Sequence, residues 1–262
     1  GWDVAGTVVS APPDSGFQEG ESVFSYTRPA FDMHDAHPTA AGEKIDVHTG
    51  TYAEYVSVPA WKVAKIPPTA TLAQAAGVPL AGLTAYQAIV DHLKANAGER
   101  LLILGASGGV GGYAVGIAKS LGLTVIGTCS ARNIDYVKNL GADQVLDYNA
   151  GGLTEQLKDA QVDLIFDCVG GETVVEALGA IKKGGRVVSV ADFAIGEKTP
   201  AVGCTGSAFL VQPSATQLNI LAKLIDDGAV KLPKVTSFAL ADAAKAHELS
   251  ETSRTVGKIV LK

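Results

Sequence analysis

The stretch RLLILGASGGVGGYAVGIAKSLG, Arg100–Gly122, decides how the rest of the chain is read. A strand-like apolar run enters a glycine-dense turn, and a helical pattern starts at once and stops at Gly122. Ala106, Gly108 and Gly111 occupy the three positions of a GxGxxG pattern, with Ala in place of the first Gly. The second position lacks a Cβ so that a pyrophosphate can reach the backbone, and the third lets helix and strand pack closely. The opening amides of the helix then face the phosphate oxygens. A preceding strand and a following helix are the context that gives this motif its meaning. The turn from Ala106 through Ser107, Gly108, Gly109 and Val110 to Gly111 is therefore the candidate cradle for a dinucleotide.

Downstream, the same alternation repeats. TVIGTCS reads as a strand, RNIDYVKNLG as a helix, QVLDY as a strand and LTEQLKDA as a short helix. VDLIFDCV is a strand, ETVVEALGAIKKGG a helix with a double-glycine stop, and RVVSVA a strand. Nearly continuous apolar strands separated by single helices make a parallel sheet covered on both faces, and right-handed crossovers make it doubly wound. Upstream, LAQAAGVPLAGLTAYQAIVDHL reads as helical. The chain before about Pro68 is β-rich, with DVAGTVVS, ESVFSY and TYAEYVSVP as strands around a long aperiodic stretch. After Gly203, AFLVQP reads as a strand, SATQLNILAKLIDDG and ADAAKAHELSE as helices, and GKIVLK as a closing strand.

The end of the second strand chooses between cofactors. A binder of NAD places a carboxylate there to hold the ribose 2′-hydroxyl. This chain has Thr128, Cys129 and Ser130, followed by Arg132, and the first acid, Asp135, lies inside the next helix. A hydroxyl and a guanidinium suit a 2′-phosphate, which points to NADPH; the plainer alternative is a solvated arginine at a helix start.

Net charge is −6 over 262 residues, so nucleic acid and anionic membrane surfaces are poor general partners. No apolar run reaches membrane-spanning length. The three cysteines, Cys129, Cys168 and Cys204, form neither a zinc spacing nor an even disulfide framework, which suits a reducing compartment, cytoplasm or organelle matrix. A targeting segment ahead of Gly1 is not visible in this sequence.

The phrases GFQEGESVF, GTYAEYVSVP, AAGVPLAGLTAYQAI, GASGGVGGYAVGIAKSLG, LGADQVLDY, FDCVGG and GKIVLK occur in order along nearly the whole chain. Together they resemble the medium-chain dehydrogenase/reductase superfamily, in its zinc-independent quinone oxidoreductase or enone reductase branch. The resemblance implies a doubly wound Rossmann unit over 82–212, inserted in a β-rich, GroES-like catalytic domain over 1–81 and 213–262. It also implies that the N-terminal part of that catalytic domain is absent from this sequence. Thr84 matches a threonine beside the nicotinamide, and Ser130, Arg132 and Tyr148 match positions around the 2′-phosphate. Cys168, Val169, Gly170, Ser189, Val190 and Ala191 match the loops lining the cofactor cleft. Phe209, Leu210 and Val211 match the segment whose backbone faces the carboxamide, and Gly257 and Lys258 a glycine-lysine step near the cofactor. For Cys168 and for Phe209 to Val211, plain core strand is the alternative. Tyr52 and Tyr55 either line the substrate cleft or are core aromatics.

Zinc enzymes of this superfamily carry Gly-His-Glu where this chain has Gly1, Trp2 and Asp3, and a cysteine ligand where it has Leu80. Indole offers a metal no lone pair. The expectation is no metal, although Asp32, His34, Asp35, His37 and His48 form a polar stretch that is either a metal site or a loop over the cleft. His92 and His247 show no partner in the sequence. What remains is hydride delivery from NADPH to a quinone or an α,β-unsaturated carbonyl, in a homodimer or within a larger assembly. The alternative is a non-catalytic, NADP(H)-binding assembly subunit with a degenerate reductase fold.

Overall fold

Three antiparallel strands open the chain: β1 (Asp3–Thr7) pairs with β2 (Ser22–Tyr26), which pairs with β3 (Val63–Lys65). The computed structural model describes residues 1–28, 50–252 and 254–262. On β2, Phe24 and Tyr26 are two residues apart, so they share a face, and they enter a core with Val78, Ala81 and Ala85. The run TYAEYVSVP does not form the expected strand; it is irregular up to a short 3₁₀ turn, Ala60–Lys62. Alternating residues make a strand only beside a continuous partner, and among the described residues this run meets β1 only at its first residue, where the Thr51 N–H donates to Gly1 O and Thr51 Oγ1 to Asp3 O.

The expected long helix is broken in two. α1 (Leu72–Ala76) starts at a reciprocal cap: the Gln74 amide N–H donates to Thr71 Oγ1, and the Thr71 N–H to Gln74 Oε1. It ends at Gly77, and α2 (Pro79–Tyr86) restarts with the proline in its first turn, where the missing N–H costs nothing. α2 runs into a π turn, Gln87–His92, closed by the Leu93 N–H donating to Ala88 O at 2.8 Å.

The parallel unit follows. Its elements are β4 (Arg100–Leu104), α3 (Gly109–Ser120), β5 (Thr124–Cys129), α4 (Ile134–Leu140), β6 (Gln144–Asp147), α5 (Leu153–Leu157) and β7 (Val162–Asp167). It continues with α6 (Gly171–Ala177), β8 (Ile181–Ser189), α7 (Ile195–Lys198) and β9 (Thr205–Ala208). Strand order is β6-β5-β4-β7-β8-β9, parallel throughout. Along β4, Leu101 and Ile103 bury into one core with Ala114 and Ile117 of α3. Leu102 and Leu104 bury into a second core with Leu157, Val174 and Ala177 of α5 and α6. One strand feeding a separate core on each face is what doubly wound means at the level of side chains.

Two boundaries differ from expectation. α6 stops at Ala177, and the double glycine lies inside β8, where the register shifts against Val162 and Leu164 as in a β-bulge. The last strand of the sheet is Thr205–Ala208, and Phe209–Val211 leave it as irregular chain. Beyond the sheet, α8 (Ala215–Asp226) starts at Ser214, whose Oγ accepts the Gln217 N–H. β10 (Val235–Phe238), α9 (Ala243–Glu251) and β11 (Lys258–Leu261) complete the described chain, with β10 and β11 paired in parallel.

Candidate cofactor crevice

The order of the sheet reverses between β4 and β7, so the crevice for a ligand opens at their carboxyl ends. The glycine turn sits there. Gly108 is the N-cap of α3 and no side chain caps it, so the first-turn amides have no side-chain acceptor. A Cβ on Gly111 would come within 2.3 Å of the Gly105 carbonyl oxygen and 2.8 Å of Ala106 Cα. Glycine is therefore required where helix crosses strand. A Cβ on Gly108 would sit 3.3 Å from the same carbonyl, so the fold itself asks less of that position. Ala106 is fully buried, while Ser107, Gly109 and Val110 are half-buried along the turn.

At the end of β5, Ser130 and an exposed Arg132 stand beside the turn. Asn133 links the two sites: its Nδ2 donates to Ser107 Oγ at 3.4 Å and to Ser130 Oγ at 3.2 Å. Tyr148 reaches the same corner, its N–H donating to Cys129 O and its ring about half exposed. Arg132 has no carboxylate partner among the described residues.

Across the switch point, a buried pair shapes the two remaining loops. Ser189 Oγ donates to Asp167 Oδ2 at 2.6 Å and accepts the N–H groups of Ala191 and Asp192. Asp167 Oδ1 accepts those of Val169 and Gly170. Both side chains are wholly buried, so they act by fixing the backbone of Cys168–Gly170 and of Val190 and Ala191. Cys168 is half-buried, and burial holds its thiol far above the ordinary range. Val169 turns half its surface to solvent over Gly105.

Thr84 is buried in α2, its Oγ1 donating to Leu80 O at 2.7 Å. Phe209 and Val211 are buried and Leu210 is exposed; core packing holds for the first and third, but not in a strand. The Gly257 N–H donates to Ser107 O at 3.3 Å, and the Lys258 stem lies between Gly77 and Gly109. Lys258 also faces Asp3, whose carboxyl burial pushes up to about 6 against the pull of Lys258 and of the Leu80 N–H, 2.8 Å from Oδ1.

Tyr52 and Tyr55 are too exposed to be core aromatics. Tyr52 turns to His247, its hydroxyl 3.2 Å from Nε2 and the rings edge to face. His92 stacks on Phe209 with centroids 4.1 Å apart. Both histidines therefore have partners that the sequence did not reveal. Trp2 is half exposed under the Arg28 guanidinium, 5.4 Å from the ring centroid.

Family models match twice: the alcohol dehydrogenase GroES-like domain over residues 1–68, and the zinc-binding dehydrogenase over residues 140–261. A protein of Arthroderma benhamiae named "Probable zinc-binding oxidoreductase, mitochondrial" is 32% identical over all of this chain and 78% of its own length. The chain belongs to the medium-chain dehydrogenase/reductase superfamily. Within this superfamily, the chloroplastic "NADPH-dependent alkenal/one oxidoreductase" of Arabidopsis thaliana is 33% identical over all of this chain. The chain spans 63% of that relative's length. The quinone oxidoreductase of Coxiella burnetii superimposes over all of this chain and 78% of that one, with a TM-score of 0.85 and 30% identity. The six-stranded sheet is accordingly the superfamily's Rossmann-like unit, and residues 1–68 carry its GroES-like domain.

The zinc in one family model's description calls for donors. Among the described residues no three His, Cys, Asp or Glu side chains converge as a metal would need. Burial raises the thiols of Cys129, to about 11, and of Cys204, as it does that of Cys168, so none is a ready thiolate. Asp32, His34, Asp35, His37 and His48 lie outside the described residues. No helix among the described residues is long and apolar enough to cross a membrane.

Proposed function

We propose that the chain is a zinc-independent reductase that passes a hydride from NADPH to a quinone or an α,β-unsaturated carbonyl. The observation that carries the cofactor is the corner at the end of β5. Ser130 and Arg132, rather than an acid, follow β5 there, tied to the glycine turn through Asn133, and the nearby acid, Asp147, belongs to the neighbouring strand β6. A carboxylate would repel a 2′-phosphate, whereas a guanidinium pairs with it. The names of the relatives from Arabidopsis and Coxiella support the two acceptor classes.

Bound NADPH supplies the hydride. In this reading the first-turn amides of α3 hold the pyrophosphate, and Ser130, Arg132 and Tyr148 hold the 2′-phosphate. Thr84 and Phe209–Val211 flank the nicotinamide, with Cys168–Gly170, Ser189–Ala191 and Lys258 along the rest of the cleft. Val169 and Leu210, apolar and half exposed, keep water from the transferring face. The chain needs no general acid, because an enolate or hydroquinone anion takes its proton from solvent. Tyr52 and Tyr55 are assigned to the acceptor side. Residues 82–212 form the cofactor domain, with 1–81 and 213–262 the catalytic one. The outer edge of β9 suits a homodimer or a larger assembly, and three unpaired cysteines suit a reducing compartment.

The test is NADPH oxidation with 9,10-phenanthrenequinone and with a simple enone. Tight binding without turnover on either sinks the reductase and leaves a cofactor-binding subunit. Arg132→Glu should weaken NADPH by roughly 10- to 100-fold, as loss of a charged hydrogen bond implies, and NADH little. Equal losses refute the 2′-phosphate assignment.

A further inference from the structure

The π turn that ends α2 holds a piece of chain it does not belong to. Gln87 is buried, and its amide grips the backbone of Gln212 at both polar atoms. Nε2 donates to Gln212 O at 2.8 Å, and Oε1 accepts the Gln212 N–H at 3.0 Å. The second hydrogen on Nε2 goes to Gln217 Oε1 at 2.7 Å, and Gln217 Nε2 donates to Asp91 Oδ2 at 2.9 Å. Three of the groups in this chain of bonds come from the helix and its π turn or from the start of α8. The fourth is irregular backbone.

The other end of that backbone is held by the same turn. His92 stacks on Phe209, and burial keeps its imidazole below the ordinary pKa, hence neutral near pH 7. His92 follows Gln87 by five residues. An α-helix would point such a pair in different directions, whereas the i→i+5 repeat of a π turn brings them to one side. The wide turn thus has a geometrical use: it makes two contacts with Phe209–Gln212, one at each end, with Leu210 exposed between them.

Position in the crevice gives the segment its meaning. β9 ends at Ala208, paired with Ser189, so Phe209 emerges at the same carboxyl edge as the loops after β7 and β8. A dinucleotide lies across the switch point with one mononucleotide on each side. The glycine turn and the β5 corner take the adenosine half, which leaves the β7–β9 side for the nicotinamide half. Thr84 lies on α2 one turn before Gln87, which opens the π turn, so one continuous helical segment carries both walls' reference points.

We propose that Gln87 is a positioning residue that fixes the width of the nicotinamide slot by holding Phe209–Gln212 at a set distance from α2. The proposal rests on the NADPH reading above. The test uses the full chain and two ligands: NADPH, and 2′-phospho-ADP-ribose, which keeps the adenosine half and lacks the nicotinamide. Gln87→Met preserves length and removes all three hydrogen bonds. It should weaken NADPH by tenfold or more while changing 2′-phospho-ADP-ribose by less than twofold. Gln217→Leu, which removes only the outer support, should weaken NADPH by threefold or more with the same selectivity. It serves as the measure if Gln87→Met does not fold. Equal weakening of both ligands would mean a general loss of structure, and no weakening of either would mean that the grip is idle; each overturns the proposal. A wild-type chain that binds neither ligand overturns the NADPH reading and this inference with it. Where the wild-type chain binds both, the selectivity of the variants bears on Gln87 alone.

Discussion

Asp3→Asn tests whether the acid beside Trp2 is held against its preference. In the folded chain burial raises its carboxyl to about 6 from an ordinary 3.8, although Lys258 and the Leu80 N–H both favour the ionised form. A carboxyl that ionises late in the folded state binds its proton more tightly there than in the unfolded chain. Its contribution is therefore whole below 3.8, lost as pH rises through 6, and flat beyond. At 1.36 kcal/mol per decade, the full swing is about 3 kcal/mol, of which about 2 kcal/mol falls between pH 4.5 and 7.5. Asparagine keeps an oxygen for the Leu80 N–H and has no proton to lose. Urea unfolding of both proteins across that range, compared at each pH, removes every titration they share. The variant should gain about 2 kcal/mol on the parent between the two ends. Curves that stay parallel to within about 0.5 kcal/mol would refute the burial of a reluctant charge.

A pair of glycine variants separates packing from ligand approach. Gly111→Ala sets a Cβ against the backbone of Gly105 and Ala106, so urea unfolding should show a loss of about 3 kcal/mol. Gly108→Ala meets only a 3.3 Å contact, so its unfolding curve should barely move while NADPH binding, read by fluorescence, is lost. Ser189→Ala strips a donor from the wholly buried Asp167 carboxylate and frees two loop amides. It should cost about 1–3 kcal/mol and lower the thermal midpoint by several degrees.

Much of this architecture was legible because its signals are local. The strand-turn-helix at Arg100–Gly122 contains its own geometry, and near-continuous apolar strands imply a sheet covered on both faces. β9 was misplaced for the opposite reason: Thr-Gly-Ser-Ala has little strand character, and β8 beside it imposes the conformation that Phe-Leu-Val advertises. TYAEYVSVP has the pattern, but it touches β1 only through Thr51 and finds no strand to pair with along its length among the described residues. Residues that work through distant partners were invisible. Asp3 meets Leu80, Gln87 meets Gln212, and Asn133 reaches back to Ser107, none at a spacing that a sequence pattern encodes. The π turn hid as well, since its residues read as ordinary helix. The serine that pairs with Asp167 was found only as a crevice position, not as the brace it is.

The contact between the Gly257 N–H and the Ser107 carbonyl has a consequence in time as well as space. During synthesis the glycine turn leaves the ribosome long before the strand that braces it. Its helix and sheet can assemble early, but the turn stays unbraced until residues 257 and 258 emerge. A ligand that prefers the braced turn would then be held firmly only once residues 257 and 258 have folded against it.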